Sequence, residues 1–252
     1  MHSISILKSL CMHPRLILKN ENIFLISHMR GNTSLLSHLL GNHDEIEGYY
    51  EMHNGYYSWK SLYRQKLLYL KEHKLKANSH YFFDKILHNE HEIALTILKQ
   101  SKVIIMLRKP EQTIRSIINL YRKIDSKHPY CQAEQATQYY IDRLQGINHQ
   151  AQKIPNQFYY LPAEMLRTET ETELLKIQHY LKLKTPISTE YDVMKNTGKE
   201  KYGDSSQNIS TGKVQKHSTD YSNIALDTEL IEQASQSYQM TTKLCQTNTF
   251  KE

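Results

Sequence analysis

Four short runs of β-branched and aromatic residues recur along the chain, NIFLIS (22–27), HYFFD (80–84), VIIML (103–107) and QFYYL (157–161), with helix-patterned segments between them. This alternation restricts the fold to α/β with a mainly parallel sheet, because joining parallel strands needs a crossover long enough to hold a helix. Helices are expected over 33–40, closed by Gly41 and Asn42, and over 55–73, 88–100, 110–124 with Pro110 in its first turn, 131–152 and 169–182. From Lys195 to Ser222 the sequence is polar, rich in Gly, Ser, Thr and Lys, and has no apolar period. It reads as one long loop, either disordered or a functional lid.

The 252 residues suit one domain, with 1–20 as an N-terminal extension. Lys and Arg outnumber Asp and Glu by 32 to 26, a net charge of +6 that favours an anionic ligand and is too small to imply nucleic acid. Cys11, Cys131 and Cys245 lie far apart with no CxxC spacing, so neither a disulfide framework nor a cysteine zinc site is expected, and a reducing compartment fits. In the first twenty residues His, Lys, Pro and Arg break every apolar run. A soluble, cytoplasmic protein without membrane insertion is the expectation.

The first strand turns into the first helix through Arg30-Gly31-Asn32-Thr33-Ser34-Leu35. Unpaired amides converge at such a helix start, where the dipole is positive, and can hold an anion. The segment lacks the Gly-Lys pair of a Walker A loop, which disfavours a metal-bound nucleoside triphosphate. The hydroxyls of Thr33 and Ser34 and the guanidinium of Arg30 would add donors. An ordinary turn capped by Thr33 or Ser34 explains the same residues.

A second signal is VIIMLRKPEQTIRS, where a buried strand ends in Arg108 and Ser116 follows eight residues later on the next helix. A nucleotide hydrolase would place a magnesium-holding acid after such a strand, whereas an arginine binds an anion or is a solvated surface group. His80, His88 and His91 invite a metal reading, with His88 and His91 on one helix face. Among 14 histidines chance pairs are common, no third ligand has metal-site spacing, and no metal site is assigned.

Taken together these segments resemble the PAPS-dependent sulfotransferases, nearest the tyrosylprotein sulfotransferases and their bacterial relatives. The family's R-S-G-T-[ST] loop for the 5′-phosphosulfate is similar to Arg30 through Ser34, with Gly31 and Asn32 where Ser and Gly are expected. Its 3′-phosphate pair resembles Arg108 and Ser116. NHDEIEGYYE (42–51) is similar to the family's HPEI…GEE and implies Glu51 as catalytic base; FFDKI (82–86) resembles its NKDP motif without the proline and implies Lys85 as stabiliser of the transferring group. YYLPAEML keeps the YE-x-L motif in part, with Ala163 before Glu164. KYGDSSQNISTGKV (201–214) resembles a nucleotide-covering segment and implies Ser205, Gly212 and Lys213 as donor contacts.

The resemblance implies a P-loop-containing nucleoside triphosphate hydrolase-like three-layer sandwich. The donor would be 3′-phosphoadenosine 5′-phosphosulfate (PAPS), the product adenosine 3′,5′-bisphosphate, and no metal would be required. The acceptor would be a small molecule or a peptide. Arg30 and Lys85 would flank the sulfuryl group. His53 rivals Glu51 as base because an imidazole titrates near neutrality, and His43 is a third candidate. Tyr49, Tyr50, Tyr56, Tyr57, Trp59 and Tyr63 surround that position as an acceptor pocket, an adenine platform or core. The alternatives are a kinase with Asp84 holding magnesium, and a non-catalytic nucleotide- or RNA-binding protein.

Overall fold

The computed structural model describes residues 21–198, 207–216 and 219–251. Strands β1 (Glu21–Ile26), β2 (Ile46–Glu47), β3 (Tyr81–Ile86), β4 (Lys102–Leu107) and β5 (Phe158–Pro162) form one sheet in the order β2-β3-β1-β4-β5, every neighbouring pair parallel. The helices are α1 (Thr33–Asn42), α2 (Trp59–Leu70), α3 (Leu95–Leu98), α4 (Pro110–Ile124), α5 (Ala133–Lys153), α6 (Met165–Thr168), α7 (Thr170–Leu181), α8 (Gln207–Ser210) and α9 (Thr228–Asn248). Among the described residues, no helix is long and apolar enough to cross a membrane.

The strand alternation divides the core between two faces. Phe24, Ile26, Ile105 and Leu107 share a cluster with Ile114 and Ile117 of α4, Tyr140 and Leu144 of α5, and Ala234 and Cys245 of α9. Ile23, Leu25, Ile104 and Met106 pack instead with Leu35, Leu36 and Leu39 of α1 and with Leu174 and Ile177 of α7. The result is the expected three-layer sandwich.

Several boundaries differ from expectation. Helix α1 runs through Gly41 to Asn42 instead of stopping there, because Gly41 lies against the neighbouring segment: a Cβ at this position would meet Tyr49 Cβ at 2.7 Å and Gly48 O at 2.8 Å. Of the helix expected over 88–100, only Leu95–Leu98 forms. The preceding backbone pairs with Tyr56, whose N–H donates to Glu92 O (2.7 Å) and whose carbonyl accepts from Ala94 N–H (2.7 Å). The helix expected over 169–182 forms as α7, Thr170–Leu181, while the short α6 before it, β2 and α9 carry no matching expectation. The expected 195–222 loop is partly structured: α8 forms, and Lys213 makes an antiparallel bridge with Glu190.

The carboxyl ends of the strands are tied by buried polar side chains. Arg143 of α5, 1% exposed, donates from Nε to Ser27 O (2.8 Å), from one terminal nitrogen to Ile86 O (2.7 Å) and from the other to Asn89 Oδ1 (2.8 Å). It thus closes β1 against β3. Tyr139 accepts from Met29 N–H (2.9 Å) and donates to Leu87 O (2.9 Å), a second tie across the same ends. His28 joins β1 to β4. Because the Arg108 backbone N–H can only donate, His28 Nε2 accepts it (3.1 Å), and Nδ1 carries the proton given to Met29 O (2.9 Å). Burial pushes this imidazole down to about 4, assisted by the charges of Arg108 and Arg143.

Asp84 anchors the loop after β2. Its carboxylate accepts from Met52 N–H (3.0 Å), Lys85 N–H (2.8 Å) and the Tyr56 hydroxyl, and burial pushes it up to about 7.

Two predictions follow from these ties. Arg143→Met leaves the buried Ser27 and Ile86 carbonyls without their donor and is expected to cost about 3 kcal/mol or more in urea unfolding, since hydrogen bonds from charged donors contribute about 1.5–3 kcal/mol each. The second concerns pH. Unfolded His28 takes up a proton below 6.5 and the folded one not until about 4, so acid favours unfolding across that window. Asp84 acts in the opposite sense, because the folded carboxyl keeps its proton up to about 7 and the unfolded one loses it from 3.8, so rising pH favours unfolding. Relative to wild type, Asp84→Asn is expected to lose more stability, and His28→Gln less, as pH falls from 6.5 to 4. Urea midpoints measure both, and equal slopes in the two variants contradict the assignment.

Candidate active site

In an open parallel sheet, ligands bind beyond the carboxyl ends of the strands where the chain changes direction. Here connections from β1 lead toward β2 and β3, and those from β4 lead the other way to β5. The segments after β1 and β4 therefore flank the switch point, and these carry the corner formed by Arg30 to Leu35, and Arg108.

The corner is shaped by local backbone geometry. Arg30 and Asn32 both have left-handed φ angles, 60° and 62°. Asparagine tolerates this conformation better than most side chains. Gly31 serves proximity: a Cβ there would meet Ser27 Oγ at 2.7 Å. Asn32, and neither Thr33 nor Ser34, is the N-cap of α1, and no side-chain cap bond is made. Its amide instead donates to Ala163 O (3.3 Å), tying the corner to the segment after β5. The Asn32 side chain therefore does not cap the positive end of α1, where an anion is favoured.

Arg30, Arg108 and Ser116 come together. Arg30 Nε donates to Ser116 Oγ (2.9 Å), and the Arg108 guanidinium donates to Arg30 O (3.1 Å). The side chain of Arg30 is therefore grouped with Ser116, so its expected place beside the sulfuryl group with Lys85 is not the one it takes here. Ser116 and Arg108 are buried, and desolvation lowers the Arg108 guanidinium, with Glu164 opposing and Arg30 reinforcing. The Tyr221 hydroxyl rests against Ser116 and Arg30; burial works to raise it, and these partners outweigh burial and bring it below the ordinary tyrosine range.

Glu51 and Lys85 form a second group. Lys85, 3% exposed, is the penultimate residue of β3, in register with Leu25 of β1. Glu51 is also buried; burial works to raise its carboxyl, but His91, His53, His88 and Lys85 outweigh it and hold the group below its ordinary value. Its Oε1 lies 3.6 Å from His53 Nδ1 and 3.7 Å from His91 Nδ1. The pairing of His88 with His91 on one helix face is not found, since 88–94 is not helical. His91 joins Glu51 and His53 instead, and the ligand atoms of these three lie within 4.8 Å of one another. Asp84 is fully buried and already accepts three hydrogen bonds, which leaves it poorly placed to hold magnesium as a kinase would require. His43 is turned away, its Nε2 against Thr185.

The remaining expected contacts divide. Ser205 lies outside the described residues. Gly212, with φ 70°, accepts from Tyr191 N–H (2.8 Å), while Lys213 lines a cavity of about 450 Å³ with Thr168, Glu169 and Glu190. Neither is brought to the corner by these contacts, although Ile209 joins the apolar cluster of α1. Of the aromatics, Tyr49, Tyr50 and Tyr56 are core, and Tyr57 and Trp59 stand 63% and 64% exposed.

Sequence reasoning passed over His28, His91 in its actual grouping, Tyr139, Arg143 and Tyr221. Arg143 left a signal: it sits on the apolar stripe of α5 between Tyr140, Leu144 and Ile147, where a charge needs buried partners.

No family model and no curated protein matches the chain. Among solved structures it is similar to the sulfotransferase domain from the curacin biosynthetic pathway, at 16% identity over 86% of this chain and 97% of that one, with a TM-score of 0.59. The sulfotransferase domain of the Synechococcus PCC 7002 olefin synthase gives 16% identity, 89% and 96% coverage and a TM-score of 0.59. Mouse sulfotransferase SULT7A1 complexed with PAP gives 15% identity, 89% and 84% coverage and 0.57. At these identities the likeness is one of architecture, and the chain carries the P-loop-like fold of the sulfotransferases.

Proposed function

We propose that the chain is a sulfotransferase that moves a sulfuryl group from PAPS to a hydroxyl or amine on a small-molecule or peptide acceptor. The observation that carries this reading is the meeting of Arg30, Arg108 and Ser116 beside the uncapped start of α1, at the switch point of a sulfotransferase fold. Two anion sites side by side suit a donor with phosphates at both its 3′ and 5′ positions. The PAP complex of the similar mouse protein supports the same donor class.

In this reading the 5′-phosphosulfate lies at the start of α1 on the amides of Asn32, Thr33 and Ser34, since the Gly31 N–H donates to His28 O (3.3 Å) and the Leu35 N–H to Asn32 O (3.1 Å), and the 3′-phosphate lies on Arg108, Ser116 and Arg30. The acceptor oxygen or nitrogen attacks sulfur, the bond from sulfur to the bridging phosphate oxygen breaks, and adenosine 3′,5′-bisphosphate leaves. Lys85 neutralises charge growing on the bridging oxygen. Glu51 takes the acceptor's proton. Its carboxyl is held below the ordinary range, so it acts through placement, as an ionised acceptor in a dry site, with His53 the alternative base. Exposed Tyr57 and Trp59 would meet the acceptor as it approaches.

Thermal shift with adenosine 3′,5′-bisphosphate, ATP with magnesium, and short RNA tests the donor class. Stabilisation by the bisphosphate is expected, and stabilisation by ATP with magnesium alone overturns the reading. Arg108→Ala is expected to weaken bisphosphate binding by about 10–100-fold, the loss of one charge-assisted hydrogen-bond partner. Glu51→Gln separates binding from chemistry. It is expected to keep bisphosphate affinity while slowing transfer by about 10²–10⁴, and an unchanged rate moves the base to His53.

A further inference from the structure

We propose that Glu51, His53 and His91 form a binding site for a divalent transition-metal ion of the zinc class, and that its occupancy switches off proton transfer by Glu51. The site itself stands independently of the catalytic reading, whereas the inhibition rests on Glu51 being the base.

The donor atoms already converge. Glu51 Oε1 is 3.6 Å from His53 Nδ1 and 3.7 Å from His91 Nδ1, and the ligand atoms of the three lie within 4.8 Å of one another. Bonds of about 2.0–2.1 Å around tetrahedral zinc separate its ligands by about 3.3 Å, so the two carboxylate–imidazole pairs need contract by only a few tenths of an ångström, while the imidazoles of His53 and His91, within 4.8 Å, swing toward each other by rotamer adjustment. Those distances are too long for hydrogen bonds. Glu51 Oε1 and His91 Nδ1 are both buried with no hydrogen-bond partner. A buried carboxylate oxygen and an imidazole nitrogen at ion-pair distance but without a hydrogen bond are incompletely satisfied unless something bonds both. An ion does.

The ligands are also held in place. Met52, between Glu51 and His53, is fixed by its N–H bond to Asp84 Oδ1 (3.0 Å). His91 precedes the stretch zipped to Tyr56 through Glu92 O and Ala94 N–H. His53 has a left-handed φ of 47°, a conformation that costs a non-glycine residue. Two imidazoles and one carboxylate select zinc-like ions over magnesium or calcium, which prefer all-oxygen sets. With three protein ligands, a fourth position remains for water. Bound there, the ion occupies the Oε1 lone pair and its charge lowers the basicity of the carboxylate, so a proton is no longer accepted from the substrate.

The experiment uses the full chain stripped with chelator, titrated with Zn²⁺ against a chromophoric competitor and separately with Co²⁺ for its visible absorption. One ion per chain is expected. His53→Ala and His91→Ala should each weaken binding by about 100-fold or more, given that loss of even an outer partner of a ligand costs about 10–100-fold. His80→Ala, outside the cluster, should bind as wild type does. Urea midpoints without metal identify any variant that fails to fold, and His91→Gln then replaces His91→Ala. Equal affinity in wild type and both ligand variants, or Mg²⁺ bound as tightly as Zn²⁺, overturns the site. Zn²⁺ should slow sulfuryl transfer by wild type and chelator should restore it. Tight Zn²⁺ binding in a chain that turns over no donor leaves the site standing and removes the proposed reaction, whereas turnover untouched at full Zn²⁺ occupancy overturns the inhibition.

Discussion

The carbonyl groups that end β1 and β3 need donors in a place from which water is largely excluded, and most of this structure's functional edge depends on how they are met. Arg143 supplies them from α5 with a single rigid fork, so one helix residue fixes the relative position of two strand ends. His28 and Tyr139 extend the same solution to β4 and to the segment after β3. A lysine could not do this, because its ammonium is a point charge without the planar spread of donors. The corner and Lys85 inherit their positions from this lattice of buried bonds.

Those ties make the edge cationic as well as rigid. Arg30, Arg108 and Arg143, with the uncapped start of α1, concentrate positive charge where burial reduces screening, and Glu164 opposes part of it. The lowered guanidinium of Arg108 reflects the cost of keeping it there. An anionic ligand would relieve that cost, so the arrangement is better suited to binding than to stability.

How much of this was readable in the sequence depends on whether the signal was local. Helix α4 matches its expected bounds, 110–124, because Pro110 and the apolar period both lie within it. Asn32 takes the left-handed conformation that its side chain favours. The segment 88–94 has helix-compatible residues and yet turns over 88–91 and then pairs beside Tyr56 at Ile93, a pairing between residues far apart in sequence. The same limit hid the grouping of His91 with Glu51, and it hid the turn of Arg30 toward Ser116, which only the fold brings near. Gly41 looked like a stop and is instead a point of close approach to Tyr49, a distinction that composition does not carry.

Tyr56 has a consequence of its own. Its ring hydroxyl holds Asp84, which holds the backbone at Met52, while its main chain holds Glu92 and Ala94. One residue therefore latches both loops that carry Glu51 and His91. Local opening of either loop loosens the other, so the two are expected to behave as a single cooperative unit in hydrogen exchange, with the groups around Glu51 coming apart together instead of fraying one at a time.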